Sequence, residues 1–197
     1  MAASDKDLVR RCQADPAAFE ELMRRYQRVI FAYAMASTGS RQDAEEVTQD
    51  VFVKVYRAAH RFDSQYSFTT WLYKIASNTC KNKHRAGRRH RAVSLDTEGS
   101  SVIAVSEQPG PLEAYERRLD VAEVRQAIDE LPPGYREVLY LRYVEAMSYK
   151  EIAEVLELSL GNVEARIFRG KGKIRQSLMQ KKPRPAGQAE RGRRVAE

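Results

Sequence analysis

The sequence predicts an all-α protein: two small helical domains joined by a flexible linker, the C-terminal one containing a helix-turn-helix. Three observations carry this. Apolar residues recur at helical spacing through most of residues 4–90 and 112–178. Between those stretches the period fails, and Gly, Ser and Pro accumulate in Glu98-Gly99-Ser100-Ser101 and Gln108-Pro109-Gly110-Pro111. The 197 residues also fit two compact units better than one or three. The expected division is a first domain at 1–90, a linker at 91–111, a second domain at 112–180 and a disordered basic tail at 181–197.

Each element has a local reason. Ser4, with Asp7 three residues on, caps a short first helix. Asp15-Pro16 opens a second, since proline is tolerated at the first helical position, and Phe19, Leu22, Met23, Tyr26, Ile30 and Tyr33 form its stripe. Gly39 stops it, and Ser40 with Asp43 forms a capping box for a third helix, whose inner positions are Ala44, Val47, Val51, Val55 and Ala58. Residues 60–67 break the period and read as a loop. A fourth helix from about Phe68 buries Phe68, Trp71, Leu72, Ile75, Ala76 and Cys80. After the linker a helix runs from about Leu112 to Leu131, Pro132-Pro133-Gly134 turns the chain, and another helix holds Val138, Leu139 and Tyr143. Ser148 and Glu151 then box the start of a short helix that buries Ile152, Ala153 and Leu156. Ser159 caps a longer one lined by Val163, Ile167, Ile174 and Leu178.

Composition excludes several classes. There is no apolar run of membrane-spanning length and no leader-like N-terminus, and two cysteines make no disulfide framework. The expectation is a cytoplasmic protein without membrane insertion. His60, His84, His90, Cys12 and Cys80 match no zinc spacing, and the histidines sit among cations; no metal or other cofactor is expected. No carboxylate pairs with a nucleophile or a Gly-rich phosphate loop, so nothing points to an enzyme.

Charge is more informative. The net charge is +7, yet it is arranged in blocks. Residues 54–91 hold ten basic and one acidic side chain, 92–157 hold six and fourteen, and 158–197 hold eleven and three. Two basic blocks, each closing a helical pattern, point to two grips on a polyanion. In the second, the outer side of the last helix offers Asn162, Glu164, Arg166, Arg169, Lys171 and Lys173, the arrangement that enters a major groove. In the first, Arg61, Phe62, Tyr66, Lys74, Lys81 and Arg85 interleave rings and cations, as single-strand binding requires. Phe62 and Tyr66, in the loop, are better stacking platforms than Phe68 and Trp71, which share the buried stripe. Asn78, on the more exposed side, can read a base edge.

Here the chain resembles a family. Phe68-Thr69-Thr70-Trp71-Leu72-Tyr73-Lys74-Ile75-Ala76-Ser77-Asn78 resembles the promoter-melting helix of bacterial sigma factors of the extracytoplasmic-function (ECF) branch. The stretch from Asp43 to Phe52 is similar to their polymerase-binding helix, and Leu131 to Val138 with Ser148 to Arg169 resembles their C-terminal domain. The resemblance implies a transcription initiation factor that binds core RNA polymerase through the beta-prime clamp helices and the beta flap, and binds promoter DNA, with an anti-sigma factor as regulator. By position it assigns Asp43, Glu46, Gln49, Asp50 and Phe52 to the polymerase. Arg61, Phe62, Ser64, Gln65, Tyr66, Lys74, Asn78, Lys81 and Arg85 go to the −10 element, and Asn162, Glu164, Arg166, Phe168, Arg169 and Lys173 to the −35 element. Glu164 departs from the family's pattern: an acidic side chain accepts from cytosine but repels phosphate.

Two other classes compete. One is a stand-alone helix-turn-helix regulator that uses its first domain to dimerise; it gives no reason for a loop with Phe62 and Tyr66 leading into a basic helix. The other is an interaction protein without nucleic acid, which steep salt dependence of binding would separate. The charge blocks carry one more expectation: the acidic 92–157 stretch folds back on the basic 54–91 segment, masking it, and salt loosens that contact.

Overall fold

The computed structural model describes residues 3–92 and 121–180, with side chains described for 3–86 and 123–180. The expected linker beyond residue 92, the helical start near Leu112 and the tail from Lys181 lie outside these residues. The described residues form α1 (Asp5–Arg11), α2 (Pro16–Thr38), α3 (Arg41–Ala58), a 3-10 turn (Ala59–Arg61), α4 (Phe68–Ala92), α5 (Val121–Asp129), α6 (Pro133–Tyr143), α7 (Tyr149–Leu156) and α8 (Leu160–Gln180).

The caps act where the sequence places them. The Ser4 and Asp15 side chains accept from the N–H of Asp7 and Ala17 at the starts of α1 and α2. Gly39 ends α2 at φ 69°, a left-handed conformation that costs glycine little, and its N–H returns to the Met35 carbonyl. Ser40 accepts from the Asp43 N–H, but the reciprocal half of the expected box is absent: the Ser40 N–H donates to Thr38 Oγ1, and Asp43 pairs with Lys83 of α4. At α7 both halves of the Ser148–Glu151 box are present.

Helices α1 to α4 enclose the first half of the core, with Leu22, Ile30, Val47, Val51, Val55, Leu72 and Ala76 fully buried. A ring cluster closes the start of α4: Phe62 meets Phe68 edge-on at 5.8 Å and lies tilted on Trp71 at 5.1 Å, while Tyr26 meets Phe68 edge-on at 5.3 Å. The second half is α6 to α8 around Val138, Leu141, Ile152, Val155 and Val163, with α5 packed on α8. Gly170 brings α8 close to α6, since a Cβ there would stand 3.0 Å from Leu139 Cδ1.

The two halves share one core. Helix α6 lies on α2, and the end of α7 lies on α4. Tyr140 of α6 meets Tyr33 edge-on at 5.8 Å and donates to the Val29 carbonyl at 3.1 Å, and Tyr33 meets Tyr73 of α4 at 5.2 Å. Ser37 donates to Glu137, and the Arg136 guanidinium comes within 3.0 Å of where a Cβ on Gly39 would stand. This packing buries Tyr73 and Ser37, which the stripes read within each helix leave out.

Candidate nucleic-acid and polymerase interfaces

Helix α3 turns Ala44, Val47, Val51 and Val55 inward, which leaves Glu45, Glu46, Gln49, Asp50 and Val53 on the outside. Asp43 is half-buried and shares Lys83 of α4 with Glu46, at 3.2 Å from the Asp43 carboxylate. These two carboxylates hold the Lys83 ammonium above its ordinary pKa, with the Glu46 hydrogen bond first. Phe52 is not on this outer face. It is 4% exposed, with its ring edge-on to Phe19, and it reaches the surface only through its exposed neighbours Val53 and Tyr56.

The loop between the 3-10 turn and α4 is shaped by its own bonds. The Tyr66 N–H reaches the Asp63 carbonyl at 3.1 Å and the Gln65 N–H reaches Asp63 Oδ1 at 2.9 Å, so the chain turns on Asp63. The outcome separates the two rings proposed for stacking. Phe62 is half-buried in the ring cluster, whereas Tyr66 is 62% exposed. Gln65 is exposed as well. Ser64 is half-buried, with both of its oxygens engaged by α1: Lys6 Nζ donates to its carbonyl and an Arg10 guanidinium N–H to its hydroxyl. Arg61 is exposed beside His60, 3.2 Å from its ring nitrogen.

On α4, Lys74, Asn78, Lys81 and Arg85 recur at intervals of four, three and four, so they form one stripe down the helix. The Tyr66 loop leads into the start of this helix. The middle of the stripe faces the end of α7, where Lys81 Nζ lies 3.1 Å from the Leu156 carbonyl, 3.1 Å from Glu157 Oε2 and 3.4 Å from Asn78 Oδ1. Glu157 holds the left-handed conformation that turns the chain out of α7, and Lys81 lowers its carboxyl pKa. A cleft of about 600 Å³ lies here, lined by Asn78, Lys81, Asn82, Arg85, Glu157 and Leu158 among others.

Helices α7 and α8 form the expected helix-turn-helix. The Asn162 N–H meets Ser159 Oγ at 3.3 Å, and Val163 and Ile167 are buried. At about 100° per residue the side chains expected to meet duplex divide between two flanks of α8. Glu164 and Phe168 stand on one flank; Asn162, Arg166, Arg169 and Lys173 stand on the other. Phe168 is 62% exposed, and Asn162, Glu164, Arg169 and Lys173 are exposed too. Lys173 sits over the Tyr135 ring at 5.9 Å. Arg166 is half-buried, its guanidinium 3.1 Å from where a Cβ on Gly134 would stand, so it lies toward α6 rather than at the crest.

Burial sets the remaining titratable groups. Cys80 is fully buried and its thiol is pushed up to about 12 by loss of solvent, which keeps it protonated. Glu137 is raised by burial between the halves, an effect opposed by the Ser37 hydroxyl, His84, Lys81 and Arg166.

Comparison with known proteins agrees with this geometry. Residues 22–90 match the family described as Sigma-70 region 2, and residues 122–174 match Sigma-70, region 4. The chain is 37% identical over 180 residues to the RNA polymerase sigma-H factor of Pseudomonas aeruginosa, covering 88% of this chain and 93% of that one. It is 33% identical over 181 residues to the ECF RNA polymerase sigma-E factor of Haemophilus influenzae, covering 89% and 95%. Its fold is similar to that of the sigma factor RpoE of Bartonella quintana, solved with the anti-sigma factor NepR. There the TM-score is 0.64 at 21% identity, over 83% of this chain and 98% of that one.

Proposed function

The chain belongs to the ECF branch of the sigma-70 family of RNA polymerase sigma factors, and from that we propose how its surfaces divide the work of transcription initiation. It is a DNA-binding initiation factor, and matches to both sigma regions set aside the stand-alone regulator. The acidic outer face of α3, with Asp43, Glu46, Gln49, Asp50 and the apolar edge beside Phe52, docks on the clamp helices of core polymerase. The second half, α5 to α8, meets the flap. Tyr66, Gln65 and the Lys74–Asn78–Lys81–Arg85 stripe take the unpaired −10 strand, with Arg61 on a neighbouring phosphate. Asn162, Arg169 and Lys173 reach duplex at the −35 element from one flank, Glu164 and Phe168 from the other. Arg166 joins them by swinging off Gly134. The regulatory partner is an anti-sigma factor, the class of protein with which the Bartonella quintana factor was co-crystallised. The site of action is the cytoplasm, where the core enzyme works.

The observation that carries this is an exposed tyrosine loop leading into a helix that bears a four-residue polar and basic stripe, in a chain that also holds a helix-turn-helix. Energetics assign the rest to the polymerase. Opening duplex costs about 1.4 kcal/mol per base step, so a bubble of about ten pairs costs on the order of 14 kcal/mol. Stacking one or two bases returns about 1–3 kcal/mol each. The chain alone therefore leaves promoter DNA closed.

The test is in vitro transcription with purified core polymerase on a promoter library. The expected result is selection of a defined start-site class only when the chain is added, with permanganate-reactive thymines only when chain and core are both present. Reactivity with the chain alone, or no change in start-site choice, would overturn the reading.

A further inference from the structure

Helix α1 carries two cations one turn apart, and both reach across the sequence to the same residue. Lys6 Nζ lies 2.5 Å from the Ser64 carbonyl and an Arg10 guanidinium nitrogen 2.5 Å from the Ser64 hydroxyl, 58 and 54 residues away along the chain. Leu8, Val9 and Cys12 fix the opposite side of α1 in the core. At one end, Asp5 takes the Arg25 guanidinium at 2.7 Å and the Tyr26 hydroxyl at 2.5 Å, and Tyr26 packs against Phe68 at the start of α4. At the other end, Gln13 donates to the Tyr56 carbonyl at 2.7 Å. The helix is thus a fixed strut beside the loop.

The loop needs such a strut. Its hydrogen bonds on Asp63 shape the turn but do not say where the turn stands. Phe62 anchors its entry among the rings and Phe68 its exit. Between those anchors Ser64 is tied to the body by α1. An exposed lysine on a lone carbonyl is ordinarily worth little, because a long side chain loses rotamer freedom to stay there. Two cations on successive turns of a fixed helix that converge on both oxygens of one residue are a different case: each limits the motion the other leaves. They also offset Asp63, the one carboxylate within 54–91, where a phosphate backbone must pass.

We propose that Lys6 and Arg10 are positioning residues for the −10 loop, so that the N-terminal helix sets how sharply Gln65 and Tyr66 discriminate the unpaired base. Ser64, whose oxygens are both engaged, serves as the anchor point rather than as a reader. This rests on the −10 assignment above.

The test uses holoenzyme assembled from core polymerase and the full chain, on promoters that differ only in the extruded −10 base. Lys6→Met with Arg10→Met keeps the stems and the helix while removing the donors. Misplacement by about 1 Å can cost a hundredfold; the expected loss in the ratio of initiation on the best to the worst base is about tenfold or more. Core affinity and melting temperature stay as in the wild type, and Lys6→Arg with Arg10→Lys restores the ratio. Tyr66→Ala is the control for the loop itself. If Tyr66→Ala flattens the ratio and the α1 double variant does not, or lowers initiation equally on every base, the positioning role is wrong. If Tyr66→Ala leaves the ratio intact, the −10 assignment falls and this proposal with it.

Discussion

The ammonium of Lys81, on the face assigned to unpaired DNA, lies 3.1 Å from the carboxylate of Glu157, 76 residues further on and in the other half of the molecule. A lysine so held is not available to a phosphate, and the cleft beside it is floored by Asn78 and Arg85. If the stripe takes the −10 strand as proposed, α7 must part from α4 for Lys81 to reach it. Charge is not the main tie. The side chains are 33% and 54% exposed, and pairs so open to solvent contribute little. Tyr140 is half-buried, packed edge-on against the fully buried Tyr33 with its hydroxyl on the Val29 carbonyl, and truncating a large core-packed side chain typically costs about 2 kcal/mol or more. The charge blocks pointed to a salt-sensitive fold-back of 92–157 on 54–91; among the described residues Lys81–Glu157 is the ion pair that joins the two blocks, and the weight of the junction lies in rings. Small-angle scattering should accordingly show the same radius at low and high salt for the wild-type chain and a larger one for Tyr140→Ala. Expansion of the wild type by salt alone would reverse this order of importance.

Acidification should tighten the same junction. Burial raises the Glu137 carboxyl above its ordinary range, with Ser37 on α2, His84 and Lys81 on α4 and Arg166 on α8 opposing. A folded pKa above the unfolded value means the contribution is fully present below the unfolded pKa, about 4.3 for a glutamate, and is lost as pH rises through the folded one. Asp15, Glu21, Glu151 and Glu157 are lowered and act in the opposite sense, losing stability as pH falls. The measurable quantity is thus a difference: Glu137→Gln should raise the melting temperature at pH 7 and converge with the wild type near pH 4. An equal gain at both pH values would show that the carboxyl does not titrate there.

What the sequence could and could not show follows from the range of each signal. Ser4, Asp15, Ser148 and Ser159 cap helices through bonds spanning two or three residues, so local reading finds them. The stripes that bury Leu22, Val51, Leu72 and Val163 are equally local. Tyr73 is covered by Tyr33, forty residues earlier, and Ser37 by Glu137, a hundred residues later, and no periodicity within α2 or α4 reports what will cover its outer side. Phe62 and Tyr66 look alike in a loop; only the packing of Phe68 and Trp71 around one of them tells them apart. The same holds for Phe52, which Phe19 encloses, and for Arg166, which Gly134 draws in.

That difference between the loop rings makes opposite expectations for two similar substitutions. Tyr66→Ala removes an exposed ring from a loop held by other residues. It should leave thermal stability within about 0.5 kcal/mol, the usual range for surface changes, while weakening −10 strand binding by about 1–3 kcal/mol. Phe62→Ala empties part of a ring cluster and should lower stability by about 3 kcal/mol. Melting curves together with anisotropy of a labelled −10 single strand on holoenzyme separate the two. Equal effects of both variants on stability would place Tyr66 in the core, against its exposure.

Glu164 stands exposed on the same flank of α8 as Phe168, apart from the cationic flank of Asn162, Arg169 and Lys173. On duplex −35 DNA a carboxylate in that place can accept from a cytosine amino group but repels any phosphate it passes. Glu164→Lys should therefore strengthen binding to every sequence and steepen the salt dependence by about 0.9 per added phosphate contact. It should also lessen the preference for cytosine at the base it faces. Arg169→Ala on the opposite flank should cost about 1–3 kcal/mol on the preferred site and relax one position. Titrating holoenzyme onto −35 variants across a range of salt reads all three quantities. A Glu164→Lys chain whose salt slope is unchanged would mean that this flank of α8 points away from DNA, leaving the contacts to Asn162, Arg169 and Lys173.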